Sequence, residues 1–240
     1  MNYTVSVFKK ISKIVGVLVL VLMTVLLCLF FVYDEKIPEG EQSVDADALA
    51  EKMLTAVNHE AYKATRYLEW TFAGKHHYKW DKQEQLVDIA WDETLVHLNI
   101  QHPDVSTVFV KNTNVEKKVR LDIIEKAVSY FNNDSFWLVA PQKIFDAGTE
   151  RRLVTLENGD KALMVSYTSG GNTPGDSYLW ILDASGLPIA FKMWVSIIPL
   201  GGIKGTWESW ETTESGVLLS SNHKLLFLDI NMGNVKAWNE

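Results

Sequence analysis

Residues able to do chemistry are few in this chain, and their spacing argues against most of the reactions they could serve. His76 and His77 are adjacent, next to Tyr78, but neighbouring strand residues point to opposite faces, so the pair cannot grip one metal ion, and a metal site wants three or four converging ligands. Asp92 and Glu93 sit between two apolar alternations and read as a hairpin tip. Nothing nearby suggests the burial that would raise a carboxyl pKa for acid–base work. Ser169-Gly170-Gly171 lacks the Lys-Ser or Lys-Thr and the following helix of a phosphate loop. No G-x-S-x-G elbow occurs, and Asn133-Asp134-Ser135 is a glycosylation triplet of the kind that arises by chance. The single Cys28 lies within an apolar run, so neither an internal disulfide nor a cysteine metal site can form. The residues therefore point to no enzyme, no metal and no cofactor, and a hydrolase ranks last among the functions considered.

The aromatic residues carry more. All nine tryptophans, Trp70, Trp80, Trp91, Trp137, Trp180, Trp194, Trp207, Trp210 and Trp238, follow the apolar run. Singly each fills a core; together they line more sheet than the helices cover, since about ten strands exceed the usual 4 to 6 of one sheet. A sheet that long curls, and a curled sheet lined by large apolar residues leaves a concave cavity for a ligand. The expected lining is Trp70, Phe72, Tyr78, Ile89, Phe191 and Met193.

These residues are positioned by a simple order of elements. Residues 1–13 form a basic cytoplasmic N-terminus, and residues 14–33 are uncharged. Their 20 residues span roughly 30 Å at 1.5 Å each, the hydrocarbon thickness of a bilayer. Three lysines (Lys9, Lys10, Lys13) precede the run and Asp34, Glu35, Glu39 and Glu41 follow it, so the positive-inside rule sends the remainder across the membrane. The nearest A-x-A pattern, at Ala46 and Ala48, is too distant for signal cleavage, which favours a retained anchor. Past the anchor, 30 acidic residues face the other 20 of the 23 basic ones, a balance that excludes nucleic acid as a partner.

Residues 34–43 read as a linker and 44–240 as one domain. Ser43, Asp45 and Asp47 offer N-caps to an amphipathic helix carrying Leu49, Met53, Val57 and Ala61. Four strands follow, on Leu68/Trp70/Phe72, His76/Tyr78/Trp80, Val87/Ile89/Trp91 and Val96/Leu98/Ile100. A three-residue turn at Ala73–Lys75 sets Trp70 opposite Tyr78, a turn at Asp81–Glu84 sets Tyr78 opposite Val87, and Asp92-Glu93 sets Ile89 opposite Val96. Thr113 and Glu116 form a capping box for a second helix on Val115, Val119, Ile123, Ala127 and Phe131. The segment 132–140 then reads as a loop presenting Phe136 and Trp137. With Asn172 in the turn-rich loop Ser169–Asp176, these are the candidate partner-facing residues.

Strands resume at 152–157 and 162–168, joined through Asn158-Gly159. A central meander runs from Ser177 to Trp210, its middle strand alternating Ile189, Phe191, Met193, Val195 and Ile197. One long strand, 217–228, and a short tail close the chain.

This order, with the D-x-x-G-L-P turn of Asp183, Gly186, Leu187 and Pro188, resembles the bacterial lipoprotein-localisation carriers LolA and LolB. The segments TRYLEWTF, HHYKWD, NDSFWLVAP, GTER, YTSGG, SYLW, GLP and MWVSIIPLGG are similar to an uncharacterised bacterial membrane-anchored family with that fold. The resemblance implies an α+β fold in which an N-terminal transmembrane helix precedes a strongly curved antiparallel half-barrel, covered by about two helices around a cavity for acyl chains. It further implies an inner-membrane, single-pass protein with a periplasmic domain, whose partners are a membrane lipid, an acylated protein or another envelope protein. A tethered domain cannot ferry lipid across the periplasm; it would receive, hand over or sense it. The alternative reading is an interaction or regulatory module with a packed interior.

Overall fold

The computed structural model describes residues 2–170 and 172–240; Met1, and Gly171 of the turn-rich loop, lie outside the described residues. The chain is α+β, with an N-terminal apolar helix, few further helices and two open antiparallel sheets. Helix α1 (Asn2–Tyr33) contains a 21-residue stretch, Lys13–Tyr33, of mean hydropathy 3.2, long and apolar enough to cross a membrane and with none of its described side chains buried.

Helix α2 (Val44–Ala56) starts where the capping residues place it. Ser43 Oγ accepts from Ala46 N at 3.2 Å, Asp45 and Asp47 occupy the first turn, and Ala46, Ala50, Met53 and Val57 are buried. A short helix α3 (His59–Ala64) leads into the first sheet. Its strands are β1 (Tyr67–Phe72), β2 (His76–Asp81), β3 (Leu86–Trp91), β4 (Thr94–Asn99), β5 (Thr107–Val110) and β6 (Thr113–Asn114). The Ala73–Lys75 turn sets Trp70 opposite Tyr78, with Ala73 and Gly74 both at positive φ, and Asp92-Glu93 sets Ile89 opposite Val96. At the middle turn the register differs from expectation, because Tyr78 faces Ile89 and Trp80 faces Val87. Asp81 stays in the strand opposite Leu86 because its Oδ1 accepts from Gln83 N (3.0 Å) and Glu84 N (3.1 Å), while Gln85 takes the left-handed position. The turn moves one residue along both strands, so the inward face is unchanged.

The expected capping box does not form. Thr113 belongs to β6, and Glu116 caps α4 (Lys117–Val139) without a side-chain hydrogen bond. That helix continues through the segment expected to be a loop, so Phe136 and Trp137 are helical residues. The second sheet comprises β7 (Thr149–Thr155), β8 (Lys161–Tyr167), β9 (Ser177–Leu182), β10 (Pro188–Trp194), β11 (Ile203–Thr206), β12 (Glu208–Thr212), β13 (Leu218–Leu225) and β14 (Leu228–Asn231). In β10 the expected apolar row holds for Phe191 and Met193, and Val195, just past the strand end, is also buried. A bulge after Pro188 leaves Ile189 half-exposed, and Ile197 lies past the strand end.

The expected tail is structural. β14 pairs with β13, Thr71 N and Ala73 N donate to the carbonyls of Met232 (2.9 Å) and Asn231 (2.7 Å), and β15 (Lys236–Trp238) pairs with β1. Met232, Val235 and Ala237 are buried, so the C-terminal residues stitch the two sheets together.

Residues 34–42 form a strap across the outside of the second sheet. At one end Asp34 Oδ1 accepts from Gly201 N (2.8 Å), Trp194 Nε1 donates to the Glu35 carbonyl (2.7 Å) and Lys192 Nζ meets the Glu35 carboxylate (2.6 Å). At the other, Glu41 and Leu153 exchange backbone hydrogen bonds on the free edge of β7. From β10 to β7 is three strand spacings of ~4.8 Å, which five extended residues cover at ~3.3 Å each. Beneath lie Val154, Ala162, Met164, Leu179 and Trp194, all buried.

Candidate functional site

The inner faces of both sheets turn toward α4. From the first sheet come Leu68, Trp70, Tyr78, Ile89 and Val96, and from α4 Ile124, Ala127 and Phe131. The cross-strand pair Trp70 and Tyr78 stacks at 4.5 Å between centroids, 11° from parallel, and Phe131 meets the Trp80 ring edge-on at 5.2 Å. The second sheet offers Tyr178, Trp180, Phe191, Met193 and Trp207 to Phe136, Trp137, Ala140 and Ile144. Phe191 lies 5.8 Å from Trp137 and 6.1 Å from Trp180, and Phe136 lies 4.8 Å from Tyr178.

Of the six residues expected to line a cavity, Trp70, Tyr78, Ile89, Phe191 and Met193 are buried, and Phe72 is partly so. They fall into two groups, Trp70, Phe72, Tyr78 and Ile89 on one sheet and Phe191 and Met193 on the other, with α4 between them and Trp137 touching both. Phe136 and Trp137 therefore face inward instead of toward a partner. Asn172 is in an exposed loop, where its Nδ2 donates to Ser129 O and its Oδ1 accepts from Asn132 Nδ2, each at 3.0 Å, pinning that loop to α4.

Asp134 was missed because a carboxylate breaks an apolar pattern. It takes the inward position three residues after Phe131 and four before Leu138, and it is 1% exposed. Tyr78 OH donates to its Oδ2 (2.6 Å), His76 Nδ1 lies 2.7 Å from the same atom, and Asn133 Nδ2 donates to Oδ1 (2.8 Å). Burial first, then the Asp134 charge, pushes the Tyr78 hydroxyl well above its ordinary value, so it remains a donor. His76 also stacks on Tyr130 at 3.9 Å. Through Asp134 the Tyr78 and His76 bonds tie α4 to β2. His77 is bonded separately, to Thr71 Oγ1 at 3.0 Å, and no group of three metal-ligating side chains occurs among the described residues.

Seven buried polar atoms lack a partner among the described residues: Nε1 of Trp70, Trp80, Trp180 and Trp207, the Tyr167 hydroxyl, His223 Nε2, and Arg120 Nε in the first turn of α4. His223 is fully buried beside Trp207 (4.2 Å) and Trp137 (5.6 Å), and its Nδ1 lies 3.3 Å from the Thr206 carbonyl. Desolvation depresses its pKa to about 4, against the opposite pull of the Thr206 and Trp137 backbone and of Glu208. Trp180, Trp207 and His223 gave no sequence signal beyond the general excess of tryptophan.

The geometry defines a class: an α+β domain of two open antiparallel sheets about a central helix, behind an N-terminal apolar helix. No family model matches the chain, and no curated protein does. Among solved structures it is similar to a DUF1329 family protein from Desulfovibrio piger ATCC 29098, at 10% identity over 80% of this chain and 92% of that one, with a TM-score of 0.39.

Proposed function

We propose that this is a single-pass bacterial inner-membrane protein whose periplasmic domain, a half-barrel of the LolA kind, binds a lipid or the acyl group of a lipidated protein between α4 and the two sheets. The binding is non-catalytic and uses no cofactor. The observation that carries the reading is the set of unpartnered buried groups around α4. Nearly all buried polar atoms in folded proteins are hydrogen-bonded. Here four indole N–H groups and a phenol can donate within an otherwise apolar interior. An acyl ester or carboxylate supplies the matching acceptors, and its hydrocarbon tail matches the aromatic walls.

The second reading, a packed interaction or regulatory module with an envelope protein as partner, is favoured by the ring-on-ring contacts of Trp70 with Tyr78 and of Phe191 with Trp137 and Trp180. Native mass spectrometry after gentle detergent extraction separates the two. A bound mass in the lipid range, lost when Phe191 is enlarged (Phe191→Trp) or Trp180 is truncated (Trp180→Ala), supports the first. A lipid-free domain with a stoichiometric protein attached supports the second and sinks the first.

A further inference from the structure

Two apolar turns project from one end of the second sheet. β10 meets β11 with Met193 opposite Ile203, and β11 meets β13 with Gly205 opposite Leu225. The chain leaving β13 after Leu225 therefore emerges at the same end as the 195–202 turn. There Leu226 is 65% exposed, Phe227 89%, Leu228 51% and Ile197 71%, whereas Ile198 and Leu200 of the same turn pack inward. The 226–228 turn gains nothing from this exposure in water, where apolar side chains shown together usually mark a surface that something covers.

The covering body is identified by where α1 ends. The apolar helix stops at Tyr33, and the next two residues are fastened to the 195–202 turn itself: Asp34 Oδ1 accepts from Gly201 N, and Glu35 N donates to Gly201 O. The fit leaves no room for a side chain, since a Cβ on Gly201 would stand 2.4 Å from the Glu35 carbonyl oxygen and one on Gly202 2.6 Å from Glu35 Cβ. Whatever plane holds the end of α1 also holds this turn. The 226–228 turn lies only two strand spacings away, ~10 Å across the sheet.

We infer that this end of the domain seats in the bilayer that α1 crosses, with Ile197, Leu226 and Phe227 entering the interfacial layer of the leaflet at which Tyr33 ends. Apolar and aromatic side chains are favoured at that depth. Lys204, opposite Lys192 on the outer face and exposed, can extend its amine into the phosphate layer above them. The domain is then held at a fixed tilt, with the Ser169–Asp176 loop, which also leaves this end of the sheet between β8 and β9, directed at the lipid surface. This rests on the reading that α1 spans the membrane.

The test uses the full chain in phosphatidylcholine proteoliposomes. With Cys28→Ser as background, a fluorophore is attached at Phe227→Cys, at Ile197→Cys, or at Asn158→Cys in the β7–β8 turn at the opposite end of the sheet. The expected result is quenching of the 227 and 197 probes by lipids bearing a nitroxide near the headgroup, with little quenching by aqueous iodide, and the reverse for the 158 probe. A 227 probe as open to iodide as the 158 probe overturns the inference, and so does one shielded from both quenchers, which would indicate a protein cover. Alkaline carbonate extraction of the same vesicles isolates the prior step. Protein released by carbonate sinks the spanning helix and this seating with it, whereas retained protein with an iodide-accessible 227 probe sinks the seating alone.

Discussion

Acidification from pH 7 to 4 is expected to destabilise the domain through His223 by about 3 kcal/mol. The side chain is fully buried, and its pKa falls from 6.5 to about 4 mainly because burial penalises the cation. Above the ordinary imidazole range both folded and unfolded chains hold it neutral, and it contributes no pH dependence. Below that range the unfolded chain binds a proton that the folded one refuses, so stability drops as pH falls from about 6.5 to about 4 and levels off beneath. The fall from 6.5 to about 4, at about 1.4 kcal/mol per pH unit, gives about 3.5 kcal/mol in full, of which about 3 is lost by pH 4, where the folded site is half protonated. The perturbation that isolates it is His223→Asn, whose amide can still donate toward the Thr206 carbonyl but cannot titrate. The assay is urea unfolding of the detergent-solubilised chain followed by tryptophan emission. None of the nine tryptophans lies in α1, so the signal reports the folded domain and not the apolar helix. Carboxylates titrate in the same window, so the informative quantity is the difference between the pH 7 and pH 4 stabilities, wild type minus variant. A variant that loses as much stability as the wild type over this interval refutes the argument, whatever its absolute stability.

Tyr78→Phe removes the hydroxyl that donates to Asp134 but leaves that carboxylate with His76 and Asn133, so it should lower the unfolding free energy by about 1.5–3 kcal/mol at unchanged denaturant slope. Asp134→Ala, which strands both Tyr78 OH and His76 Nδ1, should lower it further in the same titration. Gly205→Ala puts a Cβ 2.3 Å from Phe191 Cζ and should destabilise by about 1–3 kcal/mol through overpacking, read as a shift in the urea midpoint. Gly201→Ala puts a Cβ against both the Glu35 carbonyl and the Trp194 ring and should loosen the strap, seen as faster trypsin cleavage after Lys36, which is exposed within it.

Strands were legible wherever one face is apolar and the other polar. β1 to β4 and the Trp70–Tyr78 pairing follow from alternation and turn length alone. The register of β2 on β3 was not, because the Asp81 side chain bonds the turn backbone and shifts the turn by one residue. The second half of α4 was illegible for a related reason. Asn132 to Ser135 looks like a loop until Asp134 is known to meet Tyr78 and His76, residues more than fifty positions earlier in the chain. The C-terminal strands were hidden by their shortness, since Lys236–Trp238 is three residues and its partner Tyr67–Glu69 lies at the far end of the domain. As for the candidate site, aromatic content identified the residues that face α4 but could not show which polar groups among them would lack partners.

The strap ties the timing of biosynthesis to the architecture. Residues 34–42 leave the ribosome just behind α1, yet the groups that hold them, Leu153, Trp194 and Gly201, are made more than a hundred residues later. Through most of synthesis the emerging chain hangs from its tether with no set orientation. Only once Gly201 has been made can the tether lock, so a chain shortened before Gly201 would keep β1 to β6 on a swivel and would also lack β15, the edge strand that pairs with β1.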